Sequence, residues 1–461
     1  MAIRTSRDYF ATEAGSDSLR VVGTSADRRE APGSVSGKTA YVEDRAISGL
    51  AHLVMARSPH HHAVIRSIDI APARRVPGFI HALTASDIPK NWNTILSILG
   101  VQPDDEPCLA EDKVRYLGEP VVALIAETPQ AARRAAAAVH VDYDPLPAVF
   151  DAEEALKPDA PLVGSIGRNY WQYEGHHCRR IRLGDVEAGL AAADLVVEGR
   201  YDAAPIEHAP LEPTGCIAVP EGDGRIAVYT NTQALFFSLA ITSIITRVEP
   251  QRLRMIGGVV GGGFGGKNDV AVEPLAVVAA IATGRPVKYF YSRQEEMRVS
   301  SVRSGERFYI TDGVMRDGRI IARRITHYLN SGAYTRLTNY GTTKCAAHMP
   351  GPYTIPNVWC DHHVVFTNNQ PGSAMRGFGV TFADFAIESQ MNKVARSIGM
   401  DPWRLRMINA YRDGDMRAHR KEVEGAALVE VMQAAAELAG IDLDEDLRSM
   451  SSQTRPAVSE P

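Results

Sequence analysis

The stretch Gly257-Gly-Val-Val-Gly-Gly-Gly-Phe-Gly-Gly-Lys267 lies between an apolar segment typical of a strand and one typical of a helix. A glycine-rich turn that enters a helix exposes backbone N–H groups, and the positive end of the helix dipole adds to their attraction for anions. Glycines are favoured there because side chains would keep a ligand away from the backbone. The stretch therefore predicts a loop that can bind phosphate or a metal-bound oxygen.

Two nucleotide-binding patterns also match this loop. Residues 261–266 fit G-x-G-x-x-G, and residues 261–267 fit the body of the P-loop pattern G-x-x-x-x-G-K-[ST]. The P-loop match fails at its last position, where Asn268 replaces the hydroxyl side chain that ligates Mg²⁺. A dinucleotide fold would open with this loop instead of carrying it deep into the chain. Both nucleotide interpretations are therefore disfavoured, and a purely structural glycine turn remains an alternative.

The composition is that of a soluble globular protein. The 461 residues are 45% hydrophobic and 23% charged, and both charge signs are interspersed to a formal net charge of −5. This pattern gives no reason to expect nucleic acid as a partner. No apolar run approaches the roughly 18 to 20 residues that span a bilayer, and the first residues lack the apolar core of a secretory signal. We expect a cytoplasmic protein that acts on a small molecule, without a membrane partner.

The cysteines and the histidine runs do not form metal-binding patterns. No C-x-x-C pair is present, so we expect free buried thiols and any iron–sulfur centre on another chain. The histidine runs at residues 60–62 and 176–177 chelate poorly, because neighbouring side chains point in different directions. No protein side chain is therefore predicted to ligate a metal directly. The five cysteines are Cys108, Cys178, Cys216, Cys345 and Cys360.

The chain divides into two predicted units with a tail at each end. Residues 1–20 lack periodicity and are expected to be a tail, with order beginning near residue 21. Residues 21–160 are expected to form a compact α/β domain, and residues 161–445 a larger second domain. Residues 446–461 have no core-forming pattern and are expected to be a second tail.

Alternating strand-like and helix-like segments indicate a mixed α+β or α/β fold. Predicted strands are residues 78–83, 120–125, 195–201, 225–230, 254–260 and 286–291, and predicted helices are residues 129–139, 269–283 and 427–438. No repeat of about 20 to 50 residues is present.

The glycine loop has a second motif as its companion, Ala374-Met-Arg-Gly-Phe-Gly379. Together they resemble the paired signature of the large subunit in the xanthine dehydrogenase family of molybdenum hydroxylases, and the resemblance covers roughly residues 20–440. It implies an N-terminal α/β hammerhead domain followed by the first molybdopterin-binding domain. Four further segments resemble the family in its order: Gly37-Lys-Thr-Ala-Tyr41, Arg57-Ser-Pro-His60, Tyr116-Leu-Gly-Glu-Pro120 and His208-Ala-Pro-Leu-Glu-Pro213.

The resemblance implies a molybdopterin cofactor with molybdenum, expected as the cytosine dinucleotide. The cofactor carries out the redox chemistry in this family, and an electron-poor carbon is hydroxylated with oxygen from water. Electrons then pass to [2Fe–2S] and FAD centres, which we expect on partner subunits.

The resemblance also implies a missing general base. Family members carry it as a glutamate in a Gly-x-Gly-Glu segment of a second cofactor-binding half, and this sequence has no such segment. Some members, a nicotinate dehydrogenase among them, divide the large subunit into two polypeptides. We therefore expect a second molybdopterin-binding subunit that carries the catalytic glutamate.

Several site residues follow from the matched motifs. Gln233 matches the glutamine whose amide donates to a metal oxo ligand without changing charge. Phe378 matches a phenylalanine that flanks a flat substrate. The alternatives are a strand-end glutamine that bonds only backbone and a phenylalanine of the ordinary core. The cofactor-binding residues, Gln233 included, are completed by Gly262, Gly263, Phe264, Gly265, Arg376 and Gly377.

Two further candidate catalytic residues, Asn268 and Lys344, bear on the substrate. They occupy positions where purine-oxidising relatives carry Glu and Arg, which weakens xanthine as the substrate. A lysine could hold a substrate carboxylate or stabilise charge on a heteroaromatic ring, or simply face solvent. A nicotinate-like or purine-like N-heteroaromatic substrate is favoured, with an aldehyde-oxidising enzyme or a non-catalytic scaffold as alternatives. Carbon monoxide is disfavoured, because Gly377 stands where carbon monoxide dehydrogenases carry a cysteine.

Overall fold

The computed structural model describes residue 25, residues 27–97, residue 100 and residues 103–453. The tail predicted for residues 1–20 and the onset of order near residue 21 lie outside the described residues. No helix in the described part of the chain has the length and apolar character that crossing a membrane requires.

Helices and strands alternate along the described chain, in agreement with the predicted mixed fold. The helices are α1 Ala31–Val35, α2 Ala71–Arg74, α3 Pro129–Ala138, α4 Ala152–Ala155, α5 Val186–Ala192, α6 Leu235–Thr246, α7 Glu273–Thr283, α8 Arg293–Val299, α9 Thr338–His348, α10 Thr381–Ile398, α11 Pro402–Asn409, α12 Leu428–Leu438 and α13 Glu445–Ser449.

The strands of the described residues form two large sheets and three small ones. They are β1 Ala51–Arg57, β2 Ala63–Asp69, β3 Phe79–Leu83, β4 Trp92–Asn93, β5 Glu106–Pro107, β6 Lys113–Val114, β7 Pro120–Ala126, β8 His140–Pro145, β9 Arg179–Leu183, β10 Leu195–Ala203, β11 Ile206–Glu207, β12 Gly215–Pro220, β13 Ile226–Thr230, β14 Leu253–Ile256, β15 Val287–Phe290, β16 Val302–Arg303, β17 Gly305–Val314, β18 Ile320–Gly332 and β19 Asn357–Phe366.

The first large sheet contains strands from both of the predicted units, on either side of the predicted boundary near residue 160. Its seven strands run in the order β14-β13-β12-β15-β1-β7-β3. Strand β1 pairs in parallel with β15, with Ala51 opposite Val287, and both residues are fully buried in one hydrophobic core. Local sequence predicts each strand but not its distant neighbour, so the shared sheet was missed.

The second large sheet has the order β10-β17-β18-β19-β9 and carries α10 on one face. Residues of β17 and β18 alternate between buried and half-buried, the period expected of a strand with one covered face. Beneath α10, the buried Arg323 guanidinium donates to both carboxylate oxygens of Asp312 at 2.6 and 2.8 Å. The chain after residue 366, which includes the second quoted motif, continues directly from β19 of this sheet.

The segments that flank the glycine loop are shorter than predicted. The strand expected over residues 254–260 ends at Ile256, and the helix expected from residue 269 begins at Glu273. Residues 266–268 form a single tight turn instead, and Pro274 stands in the first turn of α7, where its missing N–H costs nothing. The loop between β14 and α7 therefore covers residues 257–272 and extends beyond the glycine-rich stretch.

The expected C-terminal tail is ordered at its start, which corrects the prediction for residues 446–461. Asp444 caps α13 by accepting from the Leu447 N–H at 2.9 Å, and Leu447 is buried in a small core with Val429 of α12. A single apolar residue in a polar segment gives no periodic signal, so the sequence did not reveal this contact. Residues 454–461 lie outside the described residues.

Candidate functional site

The glycine loop connects β14 to α7 and contains left-handed backbone at three positions. Gly262 and Gly265 have φ values of 97° and 105°, which residues with a side chain rarely adopt. Phe264 adopts φ 51° although it carries a side chain, and that side chain is 47% exposed. Strained backbone of this kind is found most often at functional sites. The loop thus holds an exposed phenylalanine at its tip.

Lys267, the lysine of this loop, lies beneath it. Its side chain is 1% exposed, and Nζ lies 3.2 Å from Oε2 of Glu212. The same carboxylate oxygen accepts from the Gly261 N–H at 2.7 Å. Burial lowers the pKa of Lys267, and the Glu212 carboxylate opposes that shift. The ammonium group fixes the loop to residue 212, which excludes a P-loop role for this lysine.

Gln233 follows β13 and binds the underside of the loop through one end of its amide. The Gly265 N–H donates to Gln233 Oε1 at 2.9 Å, so the oxygen is already engaged. Gln233 is exposed, and its Nε2 group donates to no acceptor among the described residues. A Cβ atom on Gly263 would lie 2.5 Å from Gln233 Oε1, so a side chain there would displace the glutamine amide. The glutamine therefore presents a free amide N–H₂ beside the loop.

The two loops of the paired signature touch each other through their backbones. The Arg376 N–H donates to the Phe264 carbonyl at 2.8 Å. A Cβ atom on Gly265 would lie 2.7 Å from the Ala374 carbonyl oxygen, so the close approach also requires glycine. The sequence separates the motifs by about 110 residues, and the structure combines them into one surface.

Two buried side chains brace the second loop from below. His208 Nε2 lies 2.8 Å from the Ala374 carbonyl oxygen, which fits an N–H donor at that nitrogen. The Arg303 guanidinium donates to the carbonyl oxygens of Arg376 and Gly377, the latter at 3.3 Å. Three carbonyl oxygens of the second loop are thus engaged by buried side chains.

Several backbone N–H groups of the paired loops have no acceptor in the described part of the chain, among them those of Gly262, Gly263, Phe264, Gly377 and Phe378. Together with the Gln233 amide they make a surface rich in hydrogen-bond donors. Such a surface suits a ligand that carries several anionic oxygens.

An aromatic wall stands next to the second loop. The half-buried ring of Phe378 packs against Gly341 of α9, where an added Cβ atom would lie 2.7 Å from the ring. The Phe378 and Tyr340 rings are 6.1 Å apart between centroids. Lys344 lies one helical turn after Tyr340, is exposed, and holds Nζ 5.3 Å from the Tyr340 ring centroid. The Lys344 ammonium group therefore lies beside the aromatic wall and is accessible from solvent in this chain.

Most of the predicted site residues therefore meet on one surface. Gln233 and the residues of the two loops lie together, and Phe378 is joined to Lys344 through Tyr340. Asn268 ends the first loop: its N–H donates to the Gly265 carbonyl at 3.2 Å, and its half-buried side chain bonds no described residue.

Four structural residues were missed by sequence reasoning. Glu212 and His208 both belong to the segment quoted for its family resemblance, so that motif could have indicated them. Lys267 stands in the glycine motif itself, but its burial has no sequence signature. Arg303 lies outside every quoted motif, and only the fold brings it to the second loop.

The histidine runs have separate surroundings. The rings of His60 and His61 contact Tyr143 and Phe150 at centroid distances of 5.0 and 4.9 Å, and His62 bonds a backbone carbonyl. His177 lies near Cys178 and His363, with ligand atoms within 4.8 Å of one another. Four of the five cysteines are buried, Cys108 is half-buried, and all five are free thiols.

Comparison with known proteins identifies two domains. Residues 36–147 match the aldehyde oxidase and xanthine dehydrogenase a/b hammerhead domain, and residues 170–410 match the molybdopterin cofactor-binding domain. The nicotinate dehydrogenase large molybdopterin subunit of Eubacterium barkeri is 31% identical, over 91% of this chain and 96% of that protein. The xanthine dehydrogenase/oxidase of Gallus gallus is 32% identical, over 82% of this chain and 27% of that protein.

A solved structure agrees with these relatives. The aldehyde oxidoreductase of Desulfovibrio gigas superimposes with a TM-score of 0.83 at 30% identity, over 91% of this chain and 47% of that one. The chain thus spans nearly all of the nicotinate dehydrogenase subunit but less than half of the other two proteins. It belongs to the xanthine dehydrogenase and aldehyde oxidase family of molybdenum-dependent oxidoreductases, as a molybdopterin-binding subunit.

Proposed function

We propose that this chain forms one half of the active site of a multi-subunit molybdenum hydroxylase whose substrate is an electron-poor N-heteroaromatic ring, nicotinate-like or purine-like. The observation that carries the proposal is the joined surface of the two loops, where several N–H groups and Gln233 Nε2 have no acceptor among the described residues. When bound, the molybdenum cofactor supplies the oxygen- and electron-transfer chemistry.

The donors of this surface fit an oxygen-rich cofactor. Backbone N–H groups of Gly262 to Phe264 would hold anionic oxygens at fixed positions, because the strained loop leaves them little freedom. Gln233 Nε2 would donate to an oxygen at the metal, since its Oε1 is engaged by Gly265. A preorganised donor of this type gains strength where water is excluded. The cytosine dinucleotide form of the pterin remains part of the proposal.

The aromatic wall suits a flat substrate with a negative substituent. Phe378 and Tyr340 give edges and faces against which a heteroaromatic ring can be oriented. Lys344 adds the positive charge next to Tyr340 that a carboxylate would favour. Asn268 is uncharged where an acidic side chain would serve a purine, so a nicotinate-like substrate fits this chain better.

The general base is proposed to come from a partner. Three carboxylates adjoin the loops, and each has a partner already: Glu212 binds Lys267, Asp269 accepts from the Ser373 hydroxyl, and Glu306 binds His327. A glutamate supplied by a second molybdopterin-binding subunit would complete the site. The same complex would include [2Fe–2S] and FAD subunits for the electrons.

The test is purification of the native complex with this chain tagged, followed by elemental analysis and identification of co-purifying polypeptides. We expect about one molybdenum per complex, iron, and a partner with a Gly-x-Gly-Glu segment. Dye reduction with nicotinate, hypoxanthine and benzaldehyde would then separate the substrate classes. Benzaldehyde turnover alone would replace the proposed substrate class. A metal-free chain without partners would refute the proposal and leave a scaffold role.

A further inference from the structure

A second cluster of ligand-type side chains lies behind the second loop, away from the donor surface. His327 on β18, His362 on β19 and Cys345 on α9 converge in the core, and each is 0% exposed. Imidazole nitrogens and a thiol are the ligands that soft and borderline metal ions prefer. These three side chains have no part in the proposed reaction.

The spacing of the three ligand atoms matches a metal ion. The two Nδ1 atoms of His327 and His362 are 3.2 Å apart, and Cys345 Sγ lies 3.8 and 4.0 Å from them. A point equidistant from the three atoms lies about 2.1 Å from each, against roughly 2.0–2.1 Å for a metal–imidazole bond and 2.3 Å for a metal–thiolate bond.

The surroundings fix the His327 ring in a ligand-like state. Its Nε2 lies 3.1 Å from Glu306 Oε2, so an N–H at Nε2 leaves the lone pair of Nδ1 directed at the cluster. In metal sites, a histidine that binds the ion commonly donates its other ring N–H to a carboxylate in this way. Phe308 stacks on the same ring at 4.3 Å between centroids and holds its plane.

The His362 ring is less well satisfied. Its Nε2 is buried without a hydrogen-bond partner in the described part of the chain. Without an ion, the three ligand atoms make only long contacts with one another, 3.2 Å between the nitrogens and 3.8 and 4.0 Å to the thiol. A metal ion would instead give each of the three ligand atoms its own bond.

We propose that His327, Cys345 and His362 form a buried structural site for one thiophilic d¹⁰ ion, Cu⁺ or Zn²⁺. The described residues supply three ligands within reach, a set that suits three-coordinate Cu⁺, whereas structural Zn²⁺ is almost always four-coordinate. A Cys345 thiolate cancels the charge of Cu⁺, and the Glu306 carboxylate lies close enough to balance the second charge of Zn²⁺.

The ion would connect three elements under the second loop. Through the ion, Cys345 would tie α9 to β18 and β19. The second loop packs closely on α9, because an added Cβ on Gly379 would collide with the Gly341 carbonyl and approach the Cys345 backbone nitrogen to 3.0 Å. Holding α9 in place would therefore hold the loop that carries Phe378. This role is structural and involves no redox step.

The experiment measures copper and zinc in the full-length chain, purified with its co-purifying partners from cells grown with each metal. Molybdenum is counted separately, because none of the three ligands belongs to the donor surface. We expect about one copper or zinc per chain, reduced to background in Cys345→Ser. The matched control is Cys178→Ser, which removes the thiol of the other described His₂Cys group. The metal retained by the wild type identifies the ion.

X-ray absorption at the edge of the retained metal keeps the test independent of how the variants fold. One sulfur and two imidazole neighbours in the wild-type spectrum support the site. The proposal is overturned if the wild-type chain contains only background copper and zinc after growth with either metal. It is also overturned if the spectrum shows no sulfur ligand. Loss of the metal in Cys178→Ser with retention in Cys345→Ser also overturns it.

Discussion

The paired loops have an inner face, which contains Lys267, and an outer face, which contains Phe264. A charged residue is usually exposed and an aromatic one usually buried, and here the two are exchanged. On the inner face the charged Lys267 is 1% exposed, whereas on the outer face the aromatic Phe264 is 47% exposed. Burying a charge has a large desolvation cost unless it is paired, and exposing a phenylalanine forfeits part of about 1.5–3 kcal/mol of burial energy. Folding alone would favour neither arrangement. The inner face thus serves to fix the backbone, and the outer face is the one proposed to bind the ligand.

This comparison predicts that substitutions on the inner face lower stability and those on the outer face lower activity. The largest effect is expected for Lys267→Met, which leaves the Glu212 carboxylate buried without its partner. The free energy of unfolding should fall by about 3–5 kcal/mol. Denaturant unfolding of the purified complex measures it, with exposed Lys344→Met as the matched control. Equal stability of the two variants would contradict the division into faces.

The next largest effect is expected on the outer face for Gln233→Glu. The new carboxylate still accepts from the Gly265 N–H, but the free N–H₂ donor is lost. Turnover should fall roughly 10²–10³-fold, as for removal of one preorganised donor. The unfolding midpoint should stay within the range of an ordinary surface change. Steady-state kinetics with a thermal scan makes both measurements.

Gln251→Glu is the control for that substitution, because Gln251 is exposed on a turn away from the loops. Its turnover should match the wild type. If Gln233→Glu also keeps wild-type turnover, the amide has no role in the reaction and only its bond to the loop matters.

A smaller effect is expected where the two faces meet, at Gly265→Ala. The residue has φ 105°, and its Cβ would lie 2.7 Å from the Ala374 carbonyl oxygen. The strain should cost about 1–3 kcal/mol and separate the two loops. Gly258→Ala is the control, since its Cβ would meet nothing within 4 Å. In Gly265→Ala, the free energy of unfolding and the molybdenum content of the complex should both fall. If neither falls, the two loops need not touch.

The sequence was sufficient for features that depend on local pattern. Helix α3 was predicted at residues 129–139 because that stretch is rich in alanine, and the structure adds a Thr128 side chain that accepts from the Ala131 N–H at its start. The two loops were predicted as a pair because their motifs together resemble the paired signature of the family. The family and its cofactor followed from these motifs, and the comparisons confirm both.

The inner face could not be predicted, because it depends on contacts between distant residues. Lys267 meets Glu212 across 55 positions, and Arg303 reaches Arg376 across 73. The left-handed backbone at Phe264, a residue with a side chain, is also not reported by any residue pattern. Pairing of β1 with β15 is likewise a distant contact, and it joins units that the sequence separates.

The smallest predicted effect concerns Lys344, whose role the sequence left open. Because Lys344 is exposed, its attraction for a substrate carboxylate should amount to about 1 kcal/mol at most. In Lys344→Met, kcat/KM for pyridine-3-carboxylate should therefore fall roughly fivefold, while that for the neutral pyridine-3-carboxamide should not change. The ratio of the two values isolates the charge, because ring size and the wall of Phe378 and Tyr340 are common to both substrates. An unchanged ratio would mean that Lys344 faces only solvent, and the outer face would then select its substrate by shape alone.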